Sequence, residues 1–187
     1  MTGEPTYLLV DGENLDATLG TGILKHKPAP EERPRWERVV TFAQERWGTP
    51  VTTLFFINAS NGTMPMPFIQ ALLAMDIRPI PLSGPPSVKV VDEGIQRTLE
   101  AIAARDGGNV MLGSHDADFL PQISALLHAG RQVAVLGFRE FVSSTYADLV
   151  DDGLEIFDLE SDARCFNRPL PRVRIISLEE FDPAQYL

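Results

Sequence analysis

Leu112 to Pro121 reads LGSHDADFLP, an apolar run that ends in two carboxylates one residue apart. Val110, Met111 and Leu112 have the character of a short buried strand, and Ile123, Leu126 and Leu127 recur at helical spacing beyond it. Asp116 and Asp118 therefore fall in a strand-to-helix loop. Open α/β sheets bind ligands in such loops at the carboxyl ends of parallel strands, and paired carboxylates there suit a hard divalent cation. The alternative is that Ser114, Asp116 or Asp118 only caps the following helix. One acid would suffice for a cap, whereas two in one loop repel unless a positive charge stands between them.

The flanking chain repeats the strand and helix alternation. Tyr7 to Val10 is a strand that runs into Asp11, Gly12, Glu13 and Asn14. From Ala17 to Pro34 the chain is rich in Gly, Pro and charge without a clear period, which predicts a long loop bordering the crevice, with Lys25, His26, Lys27 and Arg33 as candidate phosphate contacts. Trp36, Val39, Val40, Ala43 and Trp47 predict a helix opened by Pro34 and stopped at Gly48. Val51 to Ile57 reads as a strand covered on both faces. A shorter helix follows around Phe68 to Leu73. Ile77 to Leu82 carries Pro79 and Pro81 and so can only be an edge strand. Val91, Ile95, Leu99 and Ile102 give an amphipathic helix beginning near Lys89 and Asp92. After the acidic loop, its helix reaches Ala129 and a strand spans Gln132 to Leu136. Arg139 to Val150 is expected to be helical and Leu154 to Leu159 extended.

This alternation predicts an α/β fold, a single-domain three-layer sandwich around a central parallel sheet of right-handed βαβ units. The expected strand order is 3-2-1-4-5, with room for a sixth strand outside the fifth. The first and fourth strands are then neighbours, and the crevice over their carboxyl ends gathers Asp11, Asp116 and Asp118, with Asp92 from the start of the helix after the third strand. Asn14 offers a neutral polar partner. Mg²⁺ or Mn²⁺ would offset the repulsion among the four acids and could activate a water for attack on phosphorus. Taken singly, each residue has a plainer role: Asp11 and Asn14 as a hydrogen-bonded turn, Asp92 as a helix N-cap, Lys89 as a solvated lysine. Beside three carboxylates Lys89 could instead hold a phosphate or orient Asp92. His115 reads as an exposed loop residue that could move a proton or meet substrate, and Ser114 as a further substrate contact.

Composition narrows the function classes. The 187 residues, 44% of them hydrophobic, are enough for one sizeable core. A formal net charge of −10 opposes sequence-independent binding to long nucleic acid. The single Cys165 allows no internal disulfide, and no Cys/His spacing suggests structural zinc. No basic region followed by an apolar run marks a signal peptide, and no stretch is long enough to span a membrane, so the expected location is the cytoplasm.

The motifs LLVDGEN at Leu8 to Asn14, KVVDEGI at Lys89 to Ile95 and GSHDADF at Gly113 to Phe119 resemble, in order and spacing, the NYN domain of the PIN-like nuclease superfamily. The resemblance covers about Tyr7 to Leu159. It implies a metal-dependent ribonuclease whose acidic cluster binds Mg²⁺ or Mn²⁺ and whose partner is an RNA substrate. Carried onto this sequence, Asp11, Asp92, Asp116 and Asp118 become the catalytic and metal-binding acids, and Asn14 belongs to the first motif. Where the family commonly has glycine before the first acid of the third motif, this chain has His115. A haloacid dehalogenase type phosphatase would need aspartates two apart after the first strand, and here the pair is Asp11 and Glu13. A response-regulator receiver would need a lysine after the fifth strand, where Gly137, Phe138 and Arg139 stand. The competing reading is a catalytically inactive PIN-like module that binds RNA or protein.

The organisation expected is a nuclease domain over residues 1–159 and an extension over 160–187 that packs on the core or on a partner subunit, as in a homodimer. Ala163 to Leu178 carries Arg164, Arg168, Arg172 and Arg174 and no acid. These arginines either offer phosphate a positive edge or pair with acidic faces while Val173, Ile175 and Ile176 pack as a half-buried strand.

Overall fold

The computed structural model describes residues 3–187. Six strands form one parallel sheet in the order β3-β2-β1-β4-β5-β6. They are β1 (Thr6–Asp11), β2 (Val51–Asn58), β3 (Arg78–Leu82), β4 (Asn109–Gly113), β5 (Val133–Gly137) and β6 (Glu155–Asp158). The helices are α1 (Gly12–Ala17), α2 (Trp36–Trp47), α3 (Met66–Ala74), α4 (Val90–Ala103) and α5 (Leu120–His128). The expected order is therefore found, with the sixth strand outside the fifth, in a three-layer α/β sandwich.

Alternation along the strands divides the core. Leu8 and Val10 of β1, Phe55 and Ile57 of β2 and Met111 of β4 face one layer, built from α1, α2 and α3 through Leu15, Val39, Ala43, Ile69 and Leu72. Leu9, Phe56, Val110 and Leu112 face the other, where α4 and α5 supply Val91, Ile95, Leu99, Ile123 and Leu126. A strand covered on both faces needs apolar residues at every position, which is why β1 and β4 read as unbroken hydrophobic runs. β3 lies at the edge, where no further strand needs the amide donors that Pro79 and Pro81 lack. Gly48 ends α2 at a φ of 62°, a left-handed turn that glycine adopts without strain.

Three segments differ from expectation. The connection after β1 is not an open loop: α1 continues into a π-helical stretch, Thr18–Leu24, that buries Leu19 and Ile23 before turning at Lys25, whose φ is 65°. Its glycines at positions 20 and 22 hide the helical period. The region 139–150 forms no α-helix. It makes two 3-10 turns, Arg139–Phe141 and Ser144–Leu149, because the backbone at Val142 and Ser143 is extended between them and the Ser143 side chain caps the second. In the tail, Val173 and Ile175 form no strand and are almost wholly exposed on this chain rather than packed on its own core. The tail is held instead by Ala163 and Cys165, which are buried, and by Arg172. The Arg172 guanidinium is 1% exposed and meets Asp158, Glu140 and Glu160, with Phe138 beneath it at 5.2 Å. Among the described residues no helix is long and apolar enough to cross a membrane.

Candidate metal centre

β1 pairs with β4 from Thr6 opposite Asn109 to Val10 opposite Gly113, so both strands end at the same edge of the sheet. Asp11 ends β1, with its side chain on the α4 side by alternation. It is 3% exposed and accepts hydrogen bonds from Ser114 Oγ at 3.0 Å and the Asn14 amide at 3.4 Å. Burial, with Asp92 and Asp116 nearby, pushes its pKa up to about 6 against the opposing pull of these bonds.

Asp92, Asp116 and Asp118 converge. One carboxylate oxygen of each lies within 4.8 Å of the others. Asp92 stands in the first turn of α4 but caps nothing; Lys89 occupies the N-cap position. Burial and the neighbouring Asp116 push Asp92 up to about 6, with Lys89 pulling the other way. Asp116 does act as a cap, accepting the Asp118 amide at 3.0 Å and starting the Ala117–Phe119 turn. That bond uses one of its oxygens. Lys89 Nζ lies 3.2 Å from Asp118 and 3.7 Å from Asp92, and the hydrogen bond to Asp118 raises its pKa. A single ammonium thus stands against three carboxylates. Octahedral Mg²⁺ holds oxygens at about 2.1 Å from the metal and about 3 Å from each other. Small side-chain rotations would bring this donor set to that spacing, and its surplus negative charge fits a divalent cation. Asp92, Asp116 and Asp118 are the residues that could hold it, with Asp11 behind them.

Ser114 and His115 sit differently from the expectation that they meet substrate. Ser114 is fully buried: its hydroxyl donates to Asp11 and accepts the Asp116 amide at 3.2 Å, tying the two strand ends together. His115 is not an exposed loop residue. It is 5% exposed, stacked on Phe138 at 5.8 Å, and its Nε2 accepts the Phe138 amide at 2.7 Å. The ring proton is therefore on Nδ1, which lies 3.0 Å from Asn14 Oδ1 and 3.2 Å from Thr18 Oγ1. Burial lowers the His115 pKa to about 4, so the imidazole is neutral at pH 7. The His115 amide also donates to Asn14 Oδ1, at 2.9 Å. With its oxygen engaged twice, Asn14 has only the amide N–H groups left to offer, which makes it a donor toward an anion rather than an oxygen ligand for a metal.

Two supports of the acidic loop carry no signal in the sequence. The Tyr146 hydroxyl donates to the Asp116 carbonyl at 2.5 Å, and Gln96 Nε2 donates to the Asp118 carbonyl at 3.0 Å. Both come from segments whose pattern indicates only helix. The basic residues of the 15–34 connection are largely occupied within the chain: His26 pairs with Glu32, Arg33 with Asp16, and Lys25 donates to the Thr21 carbonyl.

No protein-family model matches the chain, and no curated protein does. Among solved structures, one titled "YcaC from Pseudomonas aeruginosa with hexane-2,5-diol and covalent acrylamide" is similar at a TM-score of 0.44 and 14% identity, over 89% of this chain and 81% of that one. A likeness at that level carries no argument about function.

Proposed function

We propose that the chain is a divalent-metal-dependent ribonuclease that hydrolyses RNA phosphodiester bonds. The observation that supports this reading is the convergence of Asp92, Asp116 and Asp118 within 4.8 Å, beside the buried Asp11, at the crevice between β1 and β4. The NYN-like order of the three motifs agrees with it. Bound Mg²⁺ or Mn²⁺ would polarise a phosphate oxygen and lower the pKa of a coordinated water. Asp92, Asp116 and Asp118 would hold the cation, while Asp11 adds negative charge and fixes Ser114. Lys89, which pairs with Asp118 at 3.2 Å, would be free to offer its ammonium to the phosphate were that carboxylate holding a cation. Asn14 donates its amide N–H to the same group. The place of action belonging to this reading is the cytoplasm.

A catalytically inactive module that binds RNA or protein is the second reading. The observation favouring it is Lys89, which already bridges Asp92 and Asp118 as a substitute for a cation. Cleavage assays on single-stranded and structured RNA with Mn²⁺, with Mg²⁺ and with chelator separate the two. Metal-dependent product that vanishes in the Asp116→Asn variant supports the nuclease; RNA retention without product under every condition supports the module.

A further inference from the structure

A cavity of about 320 Å³ opens at the same carboxyl edge of the sheet, in the α1–α3 layer, and none of the four acids lines it. Trp36, Phe55 and Phe68 line it, and Phe55 sits between the other two, edge to face with each at 5.1 Å. The wall nearest the acids is the first turn of α1, where Gly12 and Glu13 face the cavity and their neighbours Asp11 and Asn14 belong to the acidic site. A Cβ at position 12 would stand 2.3 Å from the Phe55 ring, so only glycine lets α1 close on the aromatic wall. Phe138, which takes part in the lining, is also the residue whose amide is bound by His115. The first turn of α1 thus runs from the Asp11 end of the acidic site into the cavity wall.

The polar groups at the cavity are specific. Arg33 Nε donates to Asp16 Oδ1 at 3.0 Å, and both side chains line the space. Among the described residues the second Asp16 oxygen and the terminal guanidinium nitrogens have no protein partner, which leaves an acceptor and donors side by side.

We propose that this cavity takes one unstacked, unpaired nucleobase of a single-stranded RNA that also presents a phosphodiester to Asp92, Asp116 and Asp118 along the same edge of the sheet. The inference rests on the ribonuclease reading and adds a strand preference to it. A volume of about 320 Å³ is at the small end for small-molecule sites and suits a single ring system rather than a longer chain. Aromatic walls favour a planar π-face, and single-stranded RNA is recognised by stacking on such side chains. Every base has a donor beside an acceptor on its Watson–Crick edge, the complement of the Asp16 and Arg33 pair. A base within a duplex has that edge occupied, so the site selects against helical RNA. An aliphatic ligand would leave the second Asp16 oxygen and the terminal Arg33 nitrogens covered but unpaired, at a net cost.

The test is ¹⁹F NMR on full-length protein carrying 5-fluorotryptophan, with chelator present so that no cleavage occurs. Trp36 reports on the cavity; Trp47, assigned through Trp47→Phe, lies outside its lining and serves as the internal reference. Adenosine, guanosine, uridine and cytidine should each shift the Trp36 resonance saturably and leave Trp47 still, while ribose alone should move neither. Phe68→Ala should weaken nucleoside binding about tenfold. Asp16→Asn, which keeps the local shape, should weaken it as well, so the result does not depend on Phe68→Ala folding normally. No Trp36 shift with millimolar nucleoside, an equal shift with ribose, or a shift with toluene but not with nucleosides would overturn the base site. If that occurred while Mn²⁺-dependent RNA cleavage persisted, the nuclease reading would survive. Saturable nucleoside binding in a protein that cleaves nothing would uphold the base site and refute the nuclease.

Discussion

Lys89 Nζ stands 3.2 Å from an Asp118 oxygen and 3.7 Å from one of Asp92, on the side chains where a divalent cation would bind. The ammonium and a cation compete for the same oxygens. Lys89→Gln should therefore tighten Mn²⁺ binding measured by calorimetry while weakening RNA binding, because the phosphate loses its lysine. Unchanged Mn²⁺ affinity would mean that the lysine and the metal do not share the site.

Asp116→Asn conserves shape and the bond to the Asp118 amide but removes a charge. Loss of a residue that only supports a metal ligand commonly costs 10- to 100-fold. Removal of a ligand itself should lower Mn²⁺-dependent cleavage by more than about 100-fold, with circular dichroism and melting temperature near those of the parent. Cleavage at the parent rate would place the site elsewhere.

Asp11 and Asp92 both have folded pKa values near 6, above the ordinary carboxylate value of 3.8. Between these values the folded state binds more protons than the unfolded chain. Their contribution to stability is therefore largest below about pH 4 and is lost as pH rises through 6. A cation binds the ionised forms and relieves that loss. Mn²⁺ should raise the melting temperature more at pH 7.5 than at pH 5.5, read in a thermal-shift titration.

His115 has the opposite sign. Its folded pKa of about 4 lies below the ordinary 6.5, so its contribution is complete above pH 6.5 and is lost as pH falls through 4. Cleavage should show no inflection from this ring between pH 6 and 8. His115→Ala leaves the Phe138 amide without its acceptor. The variant should lose about 1–3 kcal/mol from that unpaired group alone, measured by urea unfolding.

Arg172 decides between the two explanations of the basic tail. Arg172→Gln leaves Asp158, 3% exposed as a side chain, without its cation, and breaking a buried pair from one side costs about 3–5 kcal/mol. The expected outcome is a large drop in melting temperature with RNA affinity unaltered once the protein is folded. Arg174→Gln, on the exposed segment, should leave stability unchanged. Reduced RNA affinity with a shallower salt dependence in Arg172→Gln would assign the arginine to the substrate.

The sheet was legible because its strands are buried on both faces. Leu8 to Val10 and Val110 to Leu112 could be little else, and the prolines of β3 marked an edge. The acids were legible as a group because each lies where a strand ends or a helix begins. What escaped was set by contacts between distant residues. Nothing in the local sequence of His115 shows that Phe138, stacked against its ring, will bind Nε2. The extended backbone at Val142 and Ser143 that breaks the expected helix into 3-10 turns, with Tyr146 buried in the α4–α5 core, has no local pattern that announces it. Arg172 carries the surface character of any arginine until Asp158, Glu140 and Glu160 close around it.

Asp11 and Ser114, joined by one hydrogen bond, are separated by 103 positions along the chain. Parallel pairing of β1 with β4 must bring them together, and no hairpin or local turn can do so first. The acidic cluster is consequently a late product of folding: two of its arms are short-range, but closure against β1 waits on a large entropic loop. A cation added to the unfolded chain should leave the refolding rate largely unchanged and act on the unfolding rate instead, as expected of a ligand that grips only what has already assembled.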